Sequence, residues 1–133
     1  MIRISKTQFD AFKDIKKLDM HSLVLDHIQR EFPHYVRVID PKTLGEMISV
    51  CVKRAHHWGF KKPESFFLLS SLMFDFSPTI DRYPKMAQAL CQSDIPPDER
   101  LQNGLDSLTE EDLAEIEKTR NHEDWFPELD PPE

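Results

Sequence analysis

Residues 63–76 read Pro63-Glu64-Ser65-Phe66-Phe67-Leu68-Leu69-Ser70-Ser71-Leu72-Met73-Phe74-Asp75-Phe76, and this stretch decides the fold. Pro63 and Glu64 suit a first helical turn, where no backbone donor is needed and the dipole favours an acid. The residues that follow place apolar side chains all around the helix axis. Such a helix is either the central member of a bundle or has one side covered by a partner. The reading is therefore all-α: a compact bundle of four to five helices, followed by an acidic, flexible C-terminal tail.

On the N-terminal side lies the best-bounded helix. Asp40 can cap it, Pro41 suits its first turn and Gly59 suits the left-handed residue past its end. Leu44, Met47, Ile48, Cys51, Ala55 and Trp58 recur at spacings of three and four and form one stripe toward the core. Lys53, Arg54 and His57 fall on or near the polar side, close to the negative end of the dipole. Before it, one long helix is expected from a cap at Ser5 or Thr7 to Pro33. Phe9, Phe12, Met20, Leu23, Val24 and His27 share a face interrupted by Lys13 and Lys16, with a break at Lys17 to Asp19 as the alternative.

On the C-terminal side, short helices are expected at Pro84 to Gln92 and Pro97 to Leu108. Thr109 and Asp112 suggest a fresh cap for Leu113 to Lys118. No stable structure of its own is expected from Asn121 onward. The chain thus divides into a helical domain, 1–108, and an acidic helix and tail, 109–133.

Charge follows the same division. The 133 residues carry a net charge of −7, from 24 acids and 17 Lys and Arg. Residues 109–133 hold ten of the acids against Lys118 and Arg120 alone, a balance of −8, which leaves the first 108 residues at +1. Neither part has the surplus of cations that displaces counterions from phosphates, so nucleic-acid binding is set aside. Three glycines leave no material for a phosphate-cradling loop or a dinucleotide fingerprint. No secretory signal or membrane-spanning run is visible, which predicts a cytoplasmic protein without a membrane partner. Two cysteines, Cys51 and Cys91, are expected reduced in the core, a disulfide between them requiring their helices to touch.

The search for chemistry yields no catalytic, cofactor-binding or metal residues. Among the six histidines, no pair stands three or four apart on an expected helix, and His56 and His57 point about 100° apart. His27, on an otherwise apolar face, reads as a core-edge imidazole bonded to a backbone carbonyl. Ser70 and Ser71 lie inside a helix, where a hydroxyl usually bonds the carbonyl one turn back. Cys51 sits on an apolar stripe that makes a thiol inert. A non-enzymatic protein without a cofactor is the expectation.

Aromatic residues are more suggestive of binding. Trp58, Phe60, Phe66, Phe67, Phe74, Phe76 and Tyr83 crowd into residues 58–83. They read either as core or as an exposed patch, with Phe66, Phe67, Phe74 and Phe76 the candidate protein contacts. Trp125 and Phe126, among acids and prolines, form a second candidate: a docking peptide, or a tail that packs back on its own domain.

The order of these segments carries a resemblance. Ile4-Ser5-Lys6-Thr7-Gln8-Phe9 comes first, then His27-Ile28-Gln29-Arg30-Glu31-Phe32-Pro33. Leu44 through Ala55 follows, running into His56-His57-Trp58-Gly59-Phe60, then Pro63-Glu64-Ser65 and Tyr83-Pro84. Over residues 2–108 this is similar to the small helical domain at the C-terminal end of type VI secretion adaptor (chaperone) proteins. The domain also occurs as free-standing proteins encoded near spike and PAAR-type effector components. The family pattern has an apolar or aromatic residue where Lys16 stands and a glycine where Ser77 stands. The larger effector-gripping lobe of the adaptors is missing, and the acidic extension lies outside the resemblance.

What the resemblance implies is a type VI secretion accessory protein that binds a secretion effector or spike component. The alternative is an immunity protein that neutralises a co-encoded toxin, since a basic toxin is readily blocked by an acidic surface. A homodimer that buries the apolar patch is a third expectation.

Overall fold

The computed structural model describes residues 19–125, and all regular structure among them is helical. Seven α-helices occur there: α1 (Met20–Glu31), α2 (Pro33–Val38), α3 (Pro41–His57), α4 (Pro63–Asp75), α5 (Pro84–Leu90), α6 (Pro97–Ser107) and α7 (Glu110–Lys118). Two 3₁₀ segments, Ile80–Arg82 and His122–Trp125, complete the order. The expectation of four to five helices is exceeded because proline opens five of the seven, and each one starts a new axis.

Caps explain the boundaries. Asp19 accepts a hydrogen bond from the Ser22 amide at 2.9 Å and has a non-helical backbone, so α1 begins there. A single helix running from Ser5 or Thr7 is thereby corrected; Phe9 and Phe12 lie outside the described residues. Phe32 ends α1, and Pro33 opens the six-residue α2, an element the sequence reading does not contain. Asp40 caps α3 through the Thr43 amide at 3.1 Å, and Gly59 takes the left-handed φ of 82° after its end.

α4 is the central helix: α1, α3 and α6 pack around it. Phe66, Leu69, Met73 and Phe74 are buried there against Val24, Ile28, Ile48 and Cys51. Ser70 donates to the Phe66 carbonyl at 2.6 Å, the back-bond expected of a hydroxyl inside a helix. Complete burial pushes the Cys51 thiol up to about 12, so it is a small core hydrophobe. Cys91 is exposed, not in the core, because α5 ends at Leu90 and turns the next residue outward. Both cysteines are free.

α5 and α6 form a tight pair. A methyl group on Gly104 would overlap the Met86 sulfur and stand 3.2 Å from the Ala89 Cβ, so a larger residue there requires Met86 to swing aside and Ala89 to give way.

The acidic segment is anchored to this frame. Thr109 and Asp112 form a capping box, with Asp112 N–H donating to Thr109 at 3.1 Å and Thr109 N–H donating to Asp112 at 2.8 Å. The helix therefore starts at Glu110, before the expected Leu113, and buries Ile116. Arg120 then donates to the carbonyls of Asp75 and Phe76, the latter at 2.7 Å, and to the Tyr35 hydroxyl at 2.9 Å. A cation thus meets the free carbonyls at the end of α4, where the dipole is negative. Past it, Trp125 packs 4.8 Å from Phe74 and is buried, so residues 121–125 are a docked strap where no stable structure was expected.

Candidate functional site

The aromatic residues proposed as a contact patch divide sharply. Phe66, Phe74 and Trp125 are only 2%, 3% and 4% exposed and belong to the core. They cannot touch a partner from there, which corrects their assignment as protein contacts. Phe67 and Phe76 are half-buried, and Phe126 lies outside the described residues. The physical reason is the central place of α4: an all-round apolar helix needs neighbours on most sides, and this chain supplies them. Of the two readings of Trp125, the structure adopts the one in which the segment packs back on its own domain.

Phe67 covers His27. The rings stack at 4.8 Å with 13° between planes, and His27 Nε2 lies 2.8 Å from the Ser71 hydroxyl. The imidazole partner is thus a hydroxyl, where a backbone carbonyl was expected. Burial lowers the pKa of His27, partly offset by Glu31. A serine beside a histidine has the outline of a nucleophile and its base. Here Ser71 stands in the middle of α4, and the amides around it are spent on carbonyls one turn back. Nothing of the backbone is left to stabilise an oxyanion at this hydroxyl.

A different site is organised at the C-terminal end of α3. Arg54 and Asp81 form a buried ion pair, with side chains 7% and 2% exposed and Nη1 3.0 Å from Oδ1. Nη1 also donates to the Pro78 carbonyl at 3.2 Å, and Trp58 Nε1–H donates to Asp81 Oδ2 at 2.9 Å. Both carboxylate oxygens therefore hold donors, as burial of a charge requires. The arrangement welds α3 to the 3₁₀ turn at Ile80–Arg82, which leads directly into α5. Beside it opens a cleft of about 170 Å³ lined by Lys53, Arg54, His57, Trp58, Asp81 and Arg82.

One residue beyond Arg82, a second polar cluster begins. Tyr83 OH donates to Asp112 Oδ1 at 2.6 Å, and Lys85 Nζ lies 2.6 Å from Asp112 Oδ2. These donors, Lys85 first, hold the Asp112 carboxyl well below the usual range, and the same bond pushes the Tyr83 phenol up to about 12. α7 is pinned by Asp112 and Ile116, so its outward arc consists of Glu110, Glu111, Glu115 and Glu117, all exposed. Consecutive residues thus serve two clusters: Arg82 lines the cleft at the end of α3, and Tyr83 holds α7.

Sequence reasoning placed Arg54 near the polar side of its helix and did not single out Asp81. The available signal was spacing: Arg54 follows Cys51 by three and precedes Trp58 by four, on the same stripe. Among the described residues no three His, Cys, Asp or Glu side chains converge as a metal site, and no helix is long and apolar enough to cross a membrane. No family model, no curated protein and no solved structure matches the chain.

Proposed function

We propose that this chain is a protein-binding module that acts without catalysis, as an accessory protein of type VI secretion holding a secretion effector or spike component. The observation that carries the binding reading is the outward arc of α7. Glu110, Glu111, Glu115 and Glu117 are presented on a helix fixed by a capping box and by the Tyr83 and Lys85 contacts to Asp112. Ordered charge of one sign steers encounter with a basic surface and sets its register without losing chain entropy on binding. The secretion context rests on the resemblance of residues 2–108 to the adaptor domain. Apolar contact would come from α2, where Val38 is 79% exposed and no residue is buried.

The test is affinity capture from the native cell with the full chain and with a variant carrying Glu110→Gln, Glu111→Gln, Glu115→Gln and Glu117→Gln. Recovery of an active effector or a spike component by the first and not by the second is the expected result. Equal recovery by both overturns the role of α7. Recovery of a toxin whose activity disappears in the complex replaces the accessory reading by immunity.

A further inference from the structure

We infer that the groove under Trp125 is a docking surface for a segment of a protein partner that presents an arginine and a tryptophan, and that residues 119–125 are its built-in occupant, displaced when the partner binds. The groove is lined by Tyr35 and Ile39 in and just past α2, Met47 of α3, and Met73 and Phe74 of α4. Its walls are thus aromatic and thioether, and methionine lets such a surface repack around different occupants. Its rim offers acceptors: the Asp75 and Phe76 carbonyls at the end of α4 and the Tyr35 hydroxyl. Free carbonyls at the negative end of a helix dipole favour a cation. The groove therefore takes an indole inside and a guanidinium at the rim, the two side chains that most often anchor protein interfaces.

The strap meets these demands incompletely. Beside Trp125 about 100 Å³ of the groove stays unfilled, so the atoms lining it lack packing partners on that side. Between Ile116 and Trp125 no side chain is buried: residues 117–123 are exposed and Asp124 is half-buried. Two of the strap's side chains reach back to the frame, Arg120 through bonds at exposed positions and Trp125 through its contact with Phe74. A segment with so few buried contacts and with hydrogen bonds open to water detaches without the bundle unfolding. Detachment uncovers one side of Phe74. It does so next to apolar surface already presented by α2, since Val38, 79% exposed, directly precedes Ile39 of the groove.

A tethered occupant competes at an effective concentration on the order of millimolar. A partner must therefore fill the groove better than the strap does, and the unfilled volume beside Trp125 is what it has to gain. This surface rests on the protein-binding reading above and deepens it, and it uses α2, α3 and α4, not the acidic arc of α7.

The experiment follows the Met47 and Met73 methyl resonances of the full chain and of Trp125→Ala during titration with a blocked peptide that has the sequence of residues 118–125. Versions with glutamine for its arginine or alanine for its tryptophan serve as comparisons. Trp125→Ala, with its helical circular dichroism unchanged, is expected to bind the peptide saturably and at least tenfold more tightly than the unmodified chain, whose own strap competes. Both altered peptides should bind at least tenfold more weakly. No saturable shift in Trp125→Ala, equal binding by the two proteins, or equal binding of the peptide without tryptophan overturns the docking surface. Arg120→Gln keeps the indole and only loosens the strap, so it decides the case where Trp125→Ala does not fold: tighter peptide binding than by the unmodified chain supports the surface, and binding no tighter overturns it. A dimer of the unmodified chain in light scattering that Trp125→Ala abolishes would make a second copy the occupant and overturn the partner. The peptide is read on purified protein with α7 intact, so failure here leaves capture through α7 standing.

Discussion

Two of the molecule's ion pairs are built from the same chemistry and embedded in opposite surroundings. Arg54–Asp81 joins α3 to the 3₁₀ turn with both side chains almost wholly buried. Lys85–Asp112 joins α5 to α7 with the lysine side chain 47% exposed. A buried charge left without its partner is far more damaging than a solvated one, whereas the net worth of either intact pair is modest. The first pair therefore fixes where α3 and the turn must sit, because any other arrangement strands a charge. The second orients an outer helix that water could otherwise solvate.

The sharpest way to break this contrast is at Asp81. Asp81→Ala leaves Arg54 buried without its carboxylate and frees the Trp58 N–H, and should cost about 3–5 kcal/mol of unfolding free energy. Urea denaturation followed by helical circular dichroism measures it. Replacing both members, Arg54→Met with Asp81→Leu, should recover at least half of that loss, because no uncompensated charge remains. If the double variant is as unstable as the single one, the pair contributes binding energy of its own and its role as a positional lock is wrong.

At the outer pair the effects are smaller and of a different kind. Thr109→Ala removes one half of the capping box and should cost about 1 kcal/mol. Asp112→Asn should cost less than Asp81→Ala, and its cost should shrink in molar salt, since the lysine of the pair is 47% exposed and its charge is screened. The Asp81 effect should hardly change with salt. Parallel denaturation curves at low and high salt check both, and equal salt dependence at the two sites would erase the distinction.

How far these features were legible depends on the distance over which their causes act. Asp40, Pro41, Gly59 and Pro63 announce their helix ends because caps and proline act within one turn of chain. The all-helical class follows from such local signals. Arg54 and Asp81 are 27 residues apart, and nothing local marks an arginine on an apolar stripe as paired. The aromatic cluster misled for a related reason. Periodicity shows that α4 is apolar all round but not which neighbours cover it, so a surface reading of Phe66 and Phe74 stays open beside the favoured core one. Trp125 illustrates the same limit: its acidic, proline-rich setting suggests a free peptide, while the groove beside Phe74 that receives it is assembled from α2, α3 and α4.

His27 sharpens the comparison with the smallest expected effect, because it is a third way of managing charge in a packed setting: the group stays neutral. Its ring lies on Phe67 and meets the Ser71 hydroxyl on α4, while Asp26, Arg30 and Glu31 on its own helix act on it at longer range. Burial is the largest influence and lowers its pKa below that of an exposed imidazole. A base with a lowered folded value takes up its proton first in the unfolded chain. The stability it contributes is therefore present above about pH 6.5 and is lost as pH falls through the folded value. Thermal unfolding should show a lower Tm at pH 5 than at pH 7.5, and His27→Gln should reduce that difference while keeping a donor near Ser71. An equal drop in both proteins would place the acid sensitivity elsewhere and leave His27 as a packing residue alone.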